Sequence, residues 1–540
     1  MCCLLCLCSI SAGADDDVLI PVTIDKGTSL IKLTRTYCIP GSDWRRLAEI
    51  NNLKEPYIIY AGGSISFPDS MLMTEKVTAQ IASVIGGVFR VASDGSLQQV
   101  KKGERILPGQ TLVTEADGFA HLIFPDHKYI RISSNSKFTL TYLLRLVDKS
   151  LKAEFFLERG NISLEVKEKL KKHETFNTRT PVSVTGVRGT TFRVKMDNNV
   201  NIVETLSGTV SLSSAGGSVK IPAGMGTSVK EGERPETPKT LPPVPALPVM
   251  KRIYKLTPLR IPAPAVRDGA TARMRVTSDV AGTATVWEGE TRGGKDFLLS
   301  EFTDGIWYAF FSAVSSEDLE GAPSAPVRFQ LRTIPSAPIL ASRGGDGGVL
   351  FGDTLSLKWL SSQAAVKYRV QIARDAAFTD LLHDDVVQKT DVLFTNLVPA
   401  KYSVRVAAVA ADGFESLWSS IETVELKEIP SLQGGITPAG KGFLLKWLSP
   451  GEEARYDLQV ASSKSFDLPL ISAEGLEKPE YKVTQKLEPG TWLIRVRAVF
   501  PGDVKSPWSP VQEMKVPSPS PGWADGAVLA VFSVLLLICI

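Results

Sequence analysis

Residues 180–194 of this 540-residue chain read TPVSVTGVRGTTFRV. Apolar residues alternate on both sides, which is typical of β-strands, but the alternation slips after Gly186 and is restored around Gly189. A Gly-x-x-Gly step can cradle an anion or bend a strand. Because strands flank it, no helix N-terminus is available for a phosphate, and the pattern favours a bulge or corner. Arg188, between the glycines, is then a structural hydrogen-bond donor or a weak partner contact. The face expected to point inward carries Val182, Val184, Phe192 and Val194.

The wider region, residues 77–233, has an all-β pattern. Short runs of alternating apolar residues are separated by turn signals, which occur at Ser93-Asp94-Gly95, Lys102-Gly103, Pro108-Gly109, Asp117-Gly118 and Arg159-Gly160-Asn161. The charged run KEKLKKHE at 167–174 is interpreted as a solvated loop or strand end, or alternatively as a basic docking patch.

This region resembles the FecR-type periplasmic signalling domain. The motifs that carry the resemblance are VKKG at 100–103, GQTLVT at 109–114, GFA at 118–120, FPD at 124–126, GVRGT at 186–190 and AG at 223–224. Family members of the iron-signalling type have a cytoplasmic segment that controls a sigma factor, followed by a membrane span. Here the chain passes from a signal-like segment into another module, so we expect only the extracytoplasmic interaction role to carry over.

Residues 20–69 have the pattern of a small βααβ module. A first strand is followed by helical spacing, a stop at Pro40-Gly41, a second helix that Asp43 can cap, and a closing strand. The segment resembles the LysM domain, which binds N-acetylglucosamine-containing glycans such as peptidoglycan. KG at 26–27, Trp44, INNL at 50–53 and IYAG at 59–62 carry this resemblance. It implies a glycan groove formed by Gly27, Thr28, Ser29 and Leu30, which face Ile58, Ile59 and Tyr60. The alternative is a LysM fold that only packs on its neighbour.

A proline-rich linker at 234–250 precedes a repeated region. LSLKWLSSQAAVKYRVQIARDAAF matches FLLKWLSPGEEARYDLQVASSKSF, with a period near ninety residues. Short strands at this period suit a β-sandwich. The repeats, at 334–428 and 429–517, resemble the fibronectin type III fold, and a divergent copy is expected at 251–333 with Gly305-Ile306-Trp307-Tyr308 at its corner. The repeated aromatic residues are interpreted as core, the alternative being sugar-stacking platforms. In order, they are Trp359 with Trp447, Tyr368 with Tyr456, and Phe378 with Phe466.

The two ends of the chain predict export and anchoring. Residues 1–14 combine an apolar run with Ala12-Gly13-Ala14, which indicates a signal peptide, with lipidation as the alternative. Residues 522–540 form an apolar tail that predicts a short hydrophobic transmembrane helix, with a buried strand or a truncated chain as alternatives. Cys38, the one cysteine between these segments, is expected to be a small buried hydrophobe.

No motif in the sequence predicts catalysis. The net charge is +3, which gives no basic signature for nucleic acid. His121 and His127 lack Cys or Glu at ligand spacing, so no metal or other cofactor is expected. No nucleophile elbow, zinc-protease or phosphate-loop motif is present.

The sequence therefore predicts a multidomain, mainly β, non-enzymatic protein of a Gram-negative periplasm, anchored in the inner membrane by its tail. Its expected partners are peptidoglycan, through the LysM-like module, and a membrane sensor or other envelope protein, through the FecR-type region. The expected role is envelope signalling or scaffolding. The alternatives are a purely structural peptidoglycan–membrane tether and a peptidoglycan hydrolase with an unrecognised site.

Overall fold

The computed structural model describes residues 18–166, 173–187, 190–267, 269–341, 349–432, 436–439 and 442–518. The predicted signal peptide, the predicted tail and Arg188 lie outside these residues. The chain divides into two compact units, the first ending at Arg332 and the second beginning at Thr333. Strands dominate both units, so the prediction of a mainly β, multidomain chain is confirmed. Among the described residues, no helix has the length and apolar character needed to cross a membrane.

The first unit begins with a strand-helix-helix-strand module. Its elements are β1 (Leu19–Thr23), α1 (Leu30–Tyr37), α2 (Trp44–Ile50) and β2 (Ser64–Pro68), followed by a 3₁₀ turn at Asp69–Met71. β1 and β2 pair antiparallel. Ser29 and Asp43 cap the two helices by accepting from backbone amides of the first turns. The side chain of Asn51 fastens the end of α2 to β2, since it bonds to the main chain of Leu47 and Ser66 at 2.8 Å.

The next eighteen strands close into a barrel. They are β3 (Thr74–Lys76), β4 (Ala79–Ile85), β5 (Val88–Val91), β6 (Leu97–Gln99), β7 (Arg105–Ile106), β8 (Thr111–Thr114), β9 (Phe119–Phe124), β10 (Lys128–Ile132), β11 (Lys137–Leu146), β12 (Leu151–Val166), β13 (Thr175–Arg179), β14 (Val184–Val187), β15 (Thr191–Asp197), β16 (Val200–Ser207), β17 (Thr209–Ser214), β18 (Gly217–Pro222), β19 (Met225–Lys230) and β20 (Lys239–Thr240), with a 3₁₀ turn at Pro125–His127.

Two sheets make up the barrel wall. The first runs β6-β5-β8-β11-β12-β13-β14-β17-β18, with β3 also beside β11. The second runs β7-β4-β9-β10-β12-β15-β16-β19-β20. β12 belongs to both sheets, and the side chains between them form one continuous apolar core.

The stretch at 180–194 is the corner where the chain passes from one sheet to the other. β14, in the first sheet, ends at Val187, and β15, in the second, begins at Thr191. The predicted corner is confirmed. Gly186 is not in the left-handed region, and a Cβ there would meet only the side-chain oxygen of Asn177, at 3.4 Å. The observed backbone therefore gives no steric requirement for glycine at this position.

The predicted inward face of the same stretch is partly wrong. Phe192 and Val194 are fully buried, and Val182 is buried as well. On β14, however, the buried residue is Thr185, while Val184 is only partly buried. The way the strands pair on either side of the corner decides which residues face the core. The sequence pattern alone assigned the wrong set of alternate residues to the core face of β14.

A seven-stranded sandwich completes the first unit. Its strands are β21 (Ile253–Tyr254), β22 (Leu259–Ile261), β23 (Thr271–Thr277), β24 (Thr285–Thr291), β25 (Phe297–Leu299), β26 (Gly305–Val314) and β27 (Val327–Leu331). One sheet has the order β21-β27-β26-β23-β24, and β22 pairs with β25 in the other. At its corner, Trp307 Nε1 donates to the carbonyl oxygen of Thr303 at 3.3 Å.

The second unit contains two further sandwiches. The first has β28 (Val349–Phe351), β29 (Leu355–Lys358), β30 (Ala365–Ala373), β31 (Leu381–Val387), β32 (Asp391–Phe394), β33 (Lys401–Ala410), β34 (Glu415–Trp418) and β35 (Glu422–Lys427). The second has β36 (Ile436–Ala439), β37 (Gly442–Lys446), β38 (Arg455–Ala461), β39 (Ile471–Leu476), β40 (Glu480–Val483), β41 (Gly490–Phe500), β42 (Val504–Lys505) and β43 (Gln512–Val516). Their larger sheets centre on β33 and on β41.

The repeated aromatic residues lie in the sandwich cores, as predicted. Trp359 and Trp447 are each almost fully buried, and each packs edge-on against the tyrosine of its own repeat. At the corners, the Tyr402 hydroxyl donates to the carbonyl oxygen four residues earlier, and Trp492 Nε1 does the same at 3.0 Å. These contacts give the aromatic residues structural roles, so the sugar-stacking alternative has no support at the buried positions.

Candidate functional site

The two loops assigned to the glycan groove lie side by side in the N-terminal module. Ile24 N donates to the carbonyl oxygen of Gly63 at 2.9 Å, and Gly62 N donates to the carbonyl oxygen of Ile24 at 2.9 Å. Thr28 N donates to the carbonyl oxygen of Asp25 at 3.2 Å, which closes the turn before α1. These bonds hold the β1–α1 loop against the α2–β2 loop.

The predicted groove residues divide into core and surface. Leu30 is 4% exposed and belongs to the core of the module, and Ile59 is half-buried against that core. Ile58 and Tyr60, by contrast, are 56% and 74% exposed. Apolar side chains at such exposure on one loop are available for contact with a ligand. The exposed part of the candidate groove is therefore Ile58 and Tyr60, beside the turn at 25–28.

Two other predicted groove residues have local structural roles. Gly27 has a φ of 74°, in the left-handed region that favours glycine. Ser29 caps α1, where its Oγ accepts from the amide of Lys32 at 3.3 Å. Both residues shape the turn, and Thr28 between them is only partly buried.

The module packs directly on the barrel, a contact that the sequence pattern did not reveal. Tyr142, Leu144 and Leu146 of β11 are buried in the apolar core of the N-terminal module. Leu140 and Leu143 of the same strand are buried in the barrel core. A break in register between 140 and 142 turns the strand so that it buries both faces. The apolar run YLL at 142–144, which violates alternation, is the signal that could have indicated a second contact surface.

Polar groups cross this interface as well. The Lys152 side chain is fully buried, and its Nζ donates to the carbonyl oxygen of Pro21 at 3.0 Å. The Tyr37 hydroxyl donates to Asp148 Oδ2 at 3.0 Å. Burial lowers the pKa of Lys152 to about 8, despite the opposing charge of Asp148. Burial, followed by the charge of Asp148, raises the pKa of Tyr37.

The end of the charged run at 167–174 also reaches the interface. The side chains of His173 and Glu174 are 10% and 1% exposed, so the interpretation of the whole run as solvated is wrong at these residues. His173 Nε2 lies 3.3 Å from Asp25 Oδ2, and Glu174 Oε2 lies 3.6 Å from Lys128 Nζ. Residues 167–172 lie outside the described part of the chain.

Other candidate chemical groups serve as packing residues. His121 is buried and stacks on the ring of Tyr129 at 5.4 Å. Cys38 is buried, as predicted, and burial raises the pKa of its thiol to about 11. Within the described ranges, no group of His, Cys, Asp and Glu side chains is arranged to hold a metal ion.

One protein-family model matches part of the barrel. The model of the FecR protein family matches residues 110–211, which extend from just before β8 into β17. No curated protein matches the chain.

Solved structures with similarity to parts of the chain include an anti-sigma factor and a set of fibronectin-type domains. Two crystal structures of a "putative anti-sigma factor" from Parabacteroides distasonis are 13% identical, with a TM-score of 0.21, and the alignment covers 24% of this chain and 59% of that protein. The FN1–FN3 domains of chicken CNTN1 are 11% identical, with a TM-score of 0.20, over 61% of this chain and 97% of that fragment. The chain thus spans 59% of the length of the anti-sigma factor structures.

Proposed function

We propose that this chain is a non-enzymatic cell-envelope protein whose barrel binds a protein partner in signalling or scaffolding, while its N-terminal module binds peptidoglycan. The match of the FecR family to residues 110–211 carries the first part of the proposal. FecR proteins are associated with the envelope, which supports a periplasmic location for the barrel. Anchoring of the chain in the inner membrane through residues 522–540 is part of the same proposal.

The glycan-binding part rests on the LysM-like motifs and on the exposed loop residues. Tyr60 and Ile58 offer an apolar surface to the methyl group of an N-acetyl sugar. The adjoining turn at 25–28 offers backbone groups that can form hydrogen bonds with the amide of the sugar. A single small module of this kind is expected to bind weakly, so strong attachment to the wall would need a second, linked contact.

Pelleting with purified peptidoglycan sacculi tests this part. We expect Tyr60→Ala to reduce the pelleted fraction by about tenfold or more, because truncation of an aromatic residue at the centre of a binding site costs about 2 kcal/mol. The matched control is Ile39→Ala, which removes another exposed apolar side chain of the same module, 48% exposed, beyond the end of α1. Equal pelleting of wild type and Tyr60→Ala would contradict the assignment of the groove.

Cross-linking in envelope preparations tests the partner-binding part. The barrel is expected to capture one dominant envelope protein, and Tyr60→Ala should capture it equally well, since the groove and the barrel act separately. A purely structural tether would pellet with sacculi but capture no dominant protein. Zymography on peptidoglycan separates out the hydrolase alternative, since clearing of the gel by the purified chain would overturn the non-enzymatic assignment.

A further inference from the structure

A cavity of about 40 Å³ lies where the barrel meets the sandwich that ends the first unit. Four arginines line it. Arg131 of β10 and Arg193 of β15 come from the barrel, and Arg273 and Arg275 of β23 come from the sandwich. Two glutamates, three serines and one asparagine complete the polar part of the lining. The cavity thus has an unusual concentration of guanidinium groups.

Two of these arginines are neutralised by carboxylates. Arg193 Nε lies 2.6 Å from Glu204, and its Nη1 lies 3.0 Å from Glu320. Arg273 contacts Glu288 at 2.9 Å and Glu320 at 3.2 Å. The side chains of these three carboxylates are between 6% and 12% exposed, and their ion-pair contacts go to Arg193 and Arg273.

The other two arginines contact a backbone oxygen rather than a carboxylate. Arg131 Nη1 and Arg275 Nη1 both donate to the same acceptor, the carbonyl oxygen of Gly282, at 3.1 and 2.6 Å. The guanidinium of Arg275 also lies over the ring of Phe310, 4.6 Å from its centroid. Among the described residues, neither arginine forms an ion pair, so two like charges converge on one neutral oxygen.

Gly282 is fixed in this position by its own loop. Its φ is 75°, and a Cβ there would lie 2.9 Å from the ring of Phe310. Asp279 accepts hydrogen bonds from the amides of Thr283 and Ala284, which closes the loop around it. The carbonyl group that draws the two guanidiniums together is therefore held rigidly.

This arrangement is electrostatically unfavourable as it stands. Burial, followed by the like charge of Arg131, lowers the pKa of Arg275 to about 9, and burial is also the largest cause that lowers the pKa of Arg131. The charges of Glu288 and Glu320 offset part of this cost from a distance, but neither carboxylate contacts these two arginines. Their guanidinium forks therefore lack the direct oxyanion contact that they match well. Since a water molecule needs about 10–15 Å³ of such volume, the cavity has room for a small ion.

We propose that this cavity binds a small oxyanion between Arg131 and Arg275, with the hydroxyls of Ser133 and Ser163 as further donors. The shared chemistry is a tetrahedral inorganic anion, such as phosphate or sulfate, or the carboxylate of a small organic acid. One guanidinium belongs to the barrel and the other to the sandwich, so the bound anion joins the two modules. This site lies outside the proposed glycan groove and is independent of it.

Calorimetric titration of the full-length chain tests the site. Phosphate, sulfate and acetate are titrated separately at an ionic strength held constant with sodium chloride. We expect saturable binding of at least one of them, a matching rise in the unfolding temperature, and at least tenfold weaker binding by Arg275→Gln and by Arg131→Gln. Preference for phosphate and sulfate would identify an inorganic anion, and preference for acetate would identify a carboxylate ligand.

Arg260→Gln, an exposed arginine of the same sandwich, is the matched control and should bind as the wild type does. Arg131→Lys, which keeps the charge but loses the planar fork, provides a second variant if Arg275→Gln fails to fold, and it should also weaken binding. Absence of saturable binding to the wild type would overturn the proposal, as would unchanged affinity in the folded variants of Arg131 and Arg275.

Discussion

At the scale of single residues, Gly160 is a barrel position where both the backbone conformation and the available space require glycine. It has a φ of 98° inside β12, and a Cβ would lie 2.2 Å from Ser136 Oγ and 2.4 Å from Ser136 Cα. We expect Gly160→Ala to lower the free energy of unfolding by about 3 kcal/mol or more, because backbone strain and a clash with main chain combine. Calorimetric unfolding of the two proteins measures the difference.

Gly95→Ala is the control for that substitution. Gly95 also has a positive φ, 82°, but a Cβ there would meet no atom within 4 Å. It should cost only about 1 kcal/mol, the usual penalty for an L-residue in the left-handed region. Similar losses at both positions would show that the approach of Ser136 is unimportant.

The two glycines also show when a turn can be predicted from local sequence. Both stand in turn-like tripeptides, and the turn prediction is correct for Gly95 but wrong for Gly160, which lies within a strand. Ser136, distant in sequence, lies against Gly160 because β12 pairs with β11 in one sheet and with β10 in the other. In the candidate groove, the sequence likewise identified adjoining loops but not that Leu30 would be buried.

At the scale of elements, each sandwich of the second unit has a stack of an arginine between two aromatic rings. The guanidinium of Arg495, on β41, lies 4.1 Å from the ring centroid of Phe466 and 4.5 Å from that of Trp508. Its Nε and Nη2 both donate to Gln459 Oε1. The equivalent stack of the preceding repeat centres on Arg405.

We expect Arg495→Met to destabilise its sandwich by about 2 kcal/mol, because two cation–π contacts and the bonds to Gln459 are lost together. The shift of the unfolding transition measures this effect. Arg455→Met, at an exposed arginine of the same sandwich, should change stability by less than about 0.5 kcal/mol. If the two variants lose equal stability, the stack contributes nothing specific.

Elements that repeat were predictable, whereas elements shared between modules were not. The aromatic residues of the sandwiches recur at a fixed offset, so comparison of the two copies identified them as core. β11 has no such copy. It contributes side chains to two apolar cores, and one alternating pattern of apolar residues cannot describe both. The arginine cavity was missed for the same reason, because Arg131 and Arg275 are brought together only when the barrel and the sandwich meet.

At the scale of the whole molecule, the first unit has one polar contact that should make the joint between its modules sensitive to pH. Lys152 extends from the barrel wall to the carbonyl oxygen of Pro21 in the N-terminal module. Burial lowers the pKa of this lysine to about 8, compared with 10.5 for an ordinary lysine. The difference corresponds to a cost on the order of 3 kcal/mol for keeping the buried group charged.

The sign follows from proton binding. Between pH 8 and about 10.5 the unfolded chain holds the lysine proton while the folded chain has lost it, so this residue makes stability rise with pH. Below pH 8 both states are protonated, and the full cost is present. Replacement by methionine removes this titration. From pH 7 to pH 10, the free energy of unfolding of wild type should therefore rise by about 2 kcal/mol relative to that of Lys152→Met.

Calorimetry of both proteins across this range checks the expectation, with Lys102→Met, at an exposed position of the barrel, as the control for the side-chain exchange. Subtraction of the variant from wild type cancels Tyr37 and Cys38, whose raised pKa values lower the stability of both proteins at high pH. A difference that stays constant from pH 7 to pH 10 would show that Lys152 keeps an ordinary pKa. An ordinary pKa would mean that water reaches the ammonium group, so that its contact with the carbonyl oxygen of Pro21 is hydrated.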